Sequence, residues 1–150
     1  MKSLALFFGS FLGVGYFPFA PGTAATAAGI GFIYLLHVPL FIYICIILVL
    51  LGLSIPACSY VENQLNQKDP GILVIDEVVG VMIALCGLPL TWPVAIVGFF
   101  LFRAFDMFKI YPINRLEALP GGWGIMLDDV MAGLYTNIVL QIAIRYAGLI

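Results

Sequence analysis

The chain has 150 residues, of which 63% are hydrophobic and 9% are charged, and its net charge is −2. Soluble domains carry about a quarter charged residues, so this composition excludes an ordinary soluble domain, and the small negative charge argues against a nucleic-acid partner. Residues 3–61 contain no Asp, Glu, Lys or Arg, and that stretch is long enough for two crossings of about 20 residues each. The sequence therefore predicts a polytopic membrane protein with a single domain over residues 1–150.

Proline and glycine divide the chain into apolar segments, which we predict to be helices. Residues 4–12 are too few to cross a bilayer and predict an interfacial or re-entrant helix. Thr23 is predicted to cap an Ala-rich helix that ends near residue 36, because Thr is a favourable N-cap. Further spans are predicted at about 39–60, 72–88, 92–108 and 128–146. The predicted fold class is all-α: a small polytopic transmembrane helix bundle of about four to five spans plus the N-terminal helix.

The distribution of basic residues predicts the orientation of the bundle. Lys68, Lys109 and Arg115 fall in two of the connections between predicted spans, whereas the connections at 37–39 and 87–93 contain no Lys or Arg. Connections rich in Lys and Arg face the cytoplasm. We therefore expect the ends of the helices near these basic residues to lie at the cytoplasmic side of the membrane.

Five carboxylates lie near that side, at the ends of three predicted spans. They are Asp76, Glu77, Asp106, Asp128 and Asp129. Ionisable groups at membrane depth are costly and indicate a functional site, and neighbouring carboxylates repel one another unless a positive charge lies among them. Oxygen ligands without His or Cys suit Mg²⁺ or Mn²⁺ rather than Zn²⁺, and all five acids are predicted metal ligands, with Mg²⁺ as the predicted cofactor. The alternative is that they cap helices, where the helix dipole favours acidic residues at the N-terminus.

Two cations and two glycine-rich segments accompany these acids. Arg103, Asp106 and Lys109 are spaced i, i+3, i+6 and share one side of a helix. Arg103 and Lys109 therefore either bind a phosphate or only neutralise Asp106. Backbone N–H groups at helix N-termini also bind phosphate, which adds Gly22, Thr23 and Gly122 to the predicted substrate-binding residues. The residues alone predict a metal-dependent enzyme that acts on an anionic phosphorylated substrate at the cytoplasmic interface.

Two other classes of function are compatible with parts of this pattern. A small membrane transporter or channel with an interfacial acidic cation site also uses broken helices and buried acids. Such a protein should carry charges near the middle of its spans, whereas these cluster towards one side. A structural membrane subunit that binds a partner through its charges is the other alternative, although it does not require paired acids beside glycine-rich helix starts.

Four blocks of sequence, in order, resemble the phosphatidylglycerophosphatase A family. They comprise residues 15–23 (GYFPFAPGT), 69–80 (DPG and VIDEVVG), 102–113 (FRAFD, Lys109 and Pro112-Ile113) and 121–133 (GGWGIMLDDV and Ala132-Gly133). The resemblance implies a Mg²⁺-dependent multi-pass hydrolase of the bacterial inner (cytoplasmic) membrane with its active site at the cytoplasmic face. Its substrate would be phosphatidylglycerophosphate, and its products phosphatidylglycerol and inorganic phosphate, in phospholipid biosynthesis.

The residue pattern and the resemblance together suggest a division of roles within the site. Asp76, Glu77, Asp128 and Asp129 are assigned to catalysis, as ligands of the metal or as groups that activate water. Arg103 and Lys109 are assigned to the phosphoryl group. Which carboxylate is a ligand, a base or a nucleophile stays open, and so does the choice between direct attack by water and an aspartyl-phosphate intermediate.

Overall fold

The computed structural model describes residues 2–147, and this part of the chain contains helices and no strand. The helices are α1 (Lys2–Gly9), α2 (Pro21–Leu36), α3 (Leu40–Leu65), α4 (Ile75–Ala84), α5 (Trp92–Phe108), α6 (Ile113–Leu116) and α7 (Gly122–Ala147), with a 3-10 turn at Val14–Tyr16. The predicted all-α class is confirmed for these residues, and α1 occupies the place of the predicted N-terminal helix.

The lengths of the helices do not confirm the predicted four to five spans. Within residues 2–147, α3 and α7 are the two helices long and apolar enough to cross a membrane, judged by length and composition. Helices α2 and α5 have 16 and 17 residues. The span predicted at 72–88 is wrong as a full crossing, because α4 has 10 residues. Helix α4 is about 15 Å long, which is half of a hydrocarbon core about 30 Å thick. Beyond Ala84 the chain turns, with Gly87 at φ +70°.

Helix α4 forms the centre of the bundle. Eight of its residues are buried, and it packs against α2, α3, α5 and α7. Helix α7 approaches it closely, because a Cβ at Gly133 would collide with the Gly80 carbonyl. Asn137 of α7 donates hydrogen bonds to the carbonyls of Ile83, Ala84 and Cys86 at 3.2, 3.0 and 2.9 Å. In apolar surroundings such carbonyls need donors from the protein, so these contacts hold the C-terminal end of α4 in place.

The outer surface of the bundle is apolar. Only 17% of the most apolar window of α3 is buried, and large side chains such as Phe41, Leu48 and Leu53 project outward from this helix. Phe100 projects in the same way from α5. Soluble monomers rarely expose contiguous apolar patches of this kind. The arrangement therefore suits contact with lipid.

Candidate functional site

The charged residues of the predicted site line one cavity of about 280 Å³. Five parts of the chain line it: the start of α2, the loop before α4, the start of α4, the end of α5, and the second turn of α7. Nine of the ten predicted site residues face this cavity, namely Gly22, Thr23, Asp76, Glu77, Arg103, Asp106, Lys109, Asp128 and Asp129. Residues separated by more than 100 positions in the sequence are thus brought together by helix packing.

The start of α2 directs backbone N–H groups towards this cavity. The helix begins at Pro21, with Ala20 as its N-cap, so the prediction that Thr23 is the N-cap is wrong. Pro is favoured at the first helical position because its fixed φ suits the helix and its missing N–H costs no bond there. Gly22 and Thr23 follow in the first turn, where backbone N–H groups have no acceptor within the helix. Both residues line the cavity.

Asp76, Glu77 and Asp129 form the most closely spaced group of acids. One carboxylate oxygen from each lies within 4.8 Å of the others. Asp76 Oδ1, Glu77 Oε2 and Asp129 Oδ2 are buried and have no hydrogen-bond partner among the residues that the structure describes. Buried polar atoms normally have a partner, and three convergent oxygens are the ligands that a hard divalent cation requires. The residues present therefore fit a bound Mg²⁺ ion.

Asp128 is held differently from these three acids. It is the seventh residue of α7, because that helix begins at Gly122. Asp128 and Asp129 therefore do not cap a helix start, whereas Asp76 and Glu77 do lie in the first turn of α4. The Asp128 carboxylate accepts a hydrogen bond from Lys109 Nζ at 3.0 Å and another from the Asp129 N–H at 3.0 Å. Asp128 is thus oriented by protein donors on both of its oxygens.

Arg103 lies between two carboxylates at the end of α5. Its Nη1 is 2.6 Å from Asp106 Oδ2 and 3.9 Å from Glu77 Oε1. Its Nε is buried and has no partner within residues 2–147. A guanidinium group carries five N–H donors, so Arg103 can neutralise Asp106 and still donate to a further acceptor in the cavity.

Lys109 follows α5 and bridges two parts of the chain. Its Nζ lies 2.7 Å from Glu117 Oε1 and 3.0 Å from Asp128 Oδ2. Burial by itself lowers the pKa of Lys109, but its hydrogen bonds to Glu117 and Asp128 outweigh that effect and leave the pKa raised. Lys109 is therefore positively charged at neutral pH and is already shared between two carboxylates.

Comparison with known proteins agrees with this geometry. The family model described as phosphatidylglycerophosphatase A matches residues 7–144. The chain belongs to this family. The predictions of the family and of an enzyme that is a phosphatase are both confirmed, and the family supports a role in phosphatidylglycerol synthesis.

The relatives align over most of the chain. Phosphatidylglycerophosphatase A of Haemophilus influenzae is 40% identical over 133 residues, which cover 85% of this chain and 80% of the relative. The Escherichia coli K12 protein of the same name is 34% identical over 140 residues, or 91% and 79% of the two chains. A Bacteroides thetaiotaomicron protein with the provisional name phosphatidylinositol-3-phosphatase is 36% identical and covers 93% of both. No solved structure matches the chain.

In this member of the phosphatidylglycerophosphatase A family, Gly122 lies away from the cavity. Its N–H donates a hydrogen bond to Ser59 Oγ at 2.7 Å, and a Cβ on Gly122 would collide with the Ile55 carbonyl. The predicted role of Gly122 in substrate binding therefore has no support in the geometry. The predicted helix began at about residue 128, whereas α7 begins at Gly122, so nearly two turns separate this glycine from Asp129.

Two acids near the site were missed in the sequence analysis. Asp69 lines the cavity from a loop in which its own φ is +45°, and Glu117 pairs with Lys109. Neither residue lies on a helix face shared with the other acids, so helical spacing provides no signal for them. Asp69 begins one of the four blocks that resemble the phosphatidylglycerophosphatase A family, and its place in that block is the sequence signal by which it could have been found.

Proposed function

We propose that this protein is a Mg²⁺-dependent lipid phosphatase that hydrolyses phosphatidylglycerophosphate to phosphatidylglycerol and inorganic phosphate in phospholipid biosynthesis. One observation carries the proposal: unpartnered carboxylate oxygens, a guanidinium group and free helix N–H groups converge on a single cavity at one end of an apolar bundle. The names of the Haemophilus influenzae and Escherichia coli relatives support the choice of substrate.

In this proposal, Asp76, Glu77 and Asp129 hold the metal ion. One carboxylate oxygen from each lies within 4.8 Å of the others, and each of the three side chains has a buried oxygen with no hydrogen-bond partner among the described residues. A bound Mg²⁺ ion neutralises charge on the phosphate oxygens and lowers the pKa of a coordinated water. Asp106 and Asp128 were also predicted as ligands. Since Asp106 pairs with Arg103 and Asp128 with Lys109, we assign them to the border of the site, where they orient these two cations.

The phosphoryl group is proposed to lie between Arg103 and the start of α2. Arg103 has donors to spare, and its planar guanidinium fork suits two oxygens of a phosphate. The N–H groups of Gly22 and Thr23 add donors at the positive end of the α2 dipole. Lys109 is held by Glu117 and Asp128, so in this proposal it contributes positive charge and orients Asp128. These groups bind and position the phosphate before any bond is broken.

We further propose that the protein is a multi-pass protein of the bacterial inner membrane, with the cavity at the cytoplasmic face. The apolar outer surfaces of α3 and α5 support contact with lipid. Lys68, in the loop between α3 and α4, and Arg115, in the short helix α6, lie at the cavity end of the bundle. A lipid keeps its acyl chains in the leaflet, so its phosphate arrives at the interface where this cavity lies. The transporter alternative requires charges near mid-span and is not favoured by acids that line one cavity beside helix ends.

The proposed activity is tested by measuring phosphate release from phosphatidylglycerophosphate by the purified protein in detergent. Release should stop when EDTA is added and return when Mg²⁺ is restored in excess. Phosphatidylinositol 3-phosphate, suggested by the Bacteroides relative, serves as the comparison substrate. Release that persists in EDTA would refute the role of the metal, and faster release from phosphatidylinositol 3-phosphate would refute the choice of substrate.

A further inference from the structure

A second cavity, of about 240 Å³, lies between α2 and α5 and is lined by apolar side chains. Ala27 and Ile30 line it from α2, and Ala95, Ile96, Phe99 and Phe100 from α5. We call this cavity the α2–α5 groove. The two alanines leave room between the helices, and Ala27 and Phe100 are both exposed on the outer surface. The groove is therefore open to the surroundings of the bundle.

The groove and the acidic cavity lie along the same two helices, α2 and α5. Helix α2 starts at that cavity and α5 ends there, since a Cβ on Gly22 would lie 3.2 Å from Arg103 Nη1. At the opposite ends, Tyr34 of α2 stacks on Trp92 of α5, with ring centroids 5.1 Å apart. The two helices thus run antiparallel, with polar groups at one end of their contact and an aromatic stack at the other.

The dimensions of this contact match one leaflet of a bilayer. Ala27 is five residues beyond Gly22, so the groove begins about 8 Å from the acidic cavity along α2. From Gly22 to Tyr34 the helix rises about 18 Å, which is close to half of a hydrocarbon core about 30 Å thick. A lipid with its phosphate in the acidic cavity would have an acyl chain at the depth of the groove.

We propose that the α2–α5 groove holds one acyl chain of the lipid whose phosphate occupies the acidic cavity; this inference rests on the proposed function. A chain that leaves the bilayer for an apolar groove exchanges one apolar environment for another, so burial itself provides little driving force. The groove instead orients the lipid, which holds the phosphoryl group against Arg103 and the acids. Orientation of this kind contributes to kcat/KM.

The test compares a long-chain and a short-chain substrate in variants with an altered groove. Ala27→Trp places a large side chain in the groove from an exposed position, so folding should be preserved, and Ala27→Leu fills it in part. Gly52→Trp on α3 is the matched control, because an added Cβ there meets nothing within 4 Å among the described residues, apart from its chain neighbours and the nearby backbone of its own helix. With long-chain phosphatidylglycerophosphate in mixed micelles, Ala27→Trp should lower kcat/KM about tenfold and Ala27→Leu by less.

With a water-soluble short-chain phosphatidylglycerophosphate, whose chains do not reach the groove, all three variants should match the unmodified protein. Equal loss with both substrates, or no loss with the long-chain substrate, would overturn the inference. A change in oligomeric state of Ala27→Trp alone, measured by light scattering, would also overturn it, since the groove would then be a contact between copies. If the unmodified protein released phosphate from neither substrate, the proposed function itself would fail, and this inference with it.

Discussion

The substitution Gly22→Ala tests the geometry of the site with a single methyl group. Gly22 is buried in the first turn of α2, and a Cβ there would collide with Glu77 Oε1 and lie 3.2 Å from Arg103 Nη1. Both neighbours are ends of long side chains, so they can move and the fold should survive. The cost of the substitution should therefore appear in activity.

The expected magnitude follows from the displacement of Glu77. Nonbonded contacts of a methyl carbon are normal at about 3.5 Å or more, so the Glu77 carboxylate must move by more than about 1 Å to accommodate the methyl group. A misplacement of about 1 Å in an active site can cost about a hundredfold in rate, which corresponds to roughly 2.7 kcal/mol. We expect kcat/KM to fall by about that factor and the Mg²⁺ concentration for half-maximal activity to rise, because Glu77 belongs to the proposed metal site.

Gly31→Ala provides the control on the same helix. A Cβ at Gly31 would meet nothing within 4 Å among the described residues, apart from its chain neighbours and the nearby backbone of α2. Replacing a helical Gly by Ala stabilises a helix by about 0.5–1 kcal/mol, so this variant should unfold at a slightly higher temperature with normal activity. Phosphate release and thermal unfolding in detergent measure both effects. If Gly22→Ala kept the same kcat/KM and Mg²⁺ dependence as Gly31→Ala, the placement of Glu77 and Arg103 against α2 would be refuted.

Three further substitutions test other parts of the site and the bundle. Asp129→Asn keeps the shape of the side chain but removes charge from the proposed metal site. Turnover should therefore fall by about a hundredfold or more, while the temperature of thermal unfolding stays unchanged. Near-normal Mg²⁺-dependent turnover would contradict the assignment of Asp129 to the metal. Arg103→Lys should lower kcat/KM about ten- to a hundredfold at saturating Mg²⁺, since Lys lacks the planar guanidinium fork. If Arg103→Ala loses activity and the double variant Arg103→Ala/Asp106→Ala recovers it, Arg103 only neutralises Asp106. Asn137→Leu removes the donor to three α4 carbonyls and should destabilise the fold by about 1–3 kcal/mol; an unchanged unfolding midpoint in detergent would argue against that role.

Most charged residues of the candidate site were predictable from the sequence, because they are acids or cations within an otherwise apolar chain. Acids such as Asp76 and Asp129 follow or interrupt apolar runs in a chain that is only 9% charged. An ionisable side chain at such a position is energetically costly, so its presence indicates a function. Helical spacing placed Arg103 beside Asp106, and the structure has these two side chains 2.6 Å apart. The four sequence blocks led to the family for the same reason, since they contain these unusual positions in a common order.

The helix boundaries and long-range partners were less predictable. An apolar run such as 78–88 has the same composition whether its neighbours are lipid or protein, and the pattern of side chains is apolar on every side in both cases. The sequence therefore did not show that α4 is short and surrounded by four other helices. For the same reason it placed the start of α7 six residues too late, which put Gly122 at the site.

Composition and local spacing thus predict the all-α class and the acids and cations of the site, because these depend on properties of single residues or of one helix turn. The family was indicated by the resemblance of the four sequence blocks. The pairing of Lys109 with Glu117, the approach of Gly22 to Glu77, and the α2–α5 groove depend on how separate helices pack. Close packing is specified by the shapes of many side chains together, and no local pattern in the chain records which distant residues will touch.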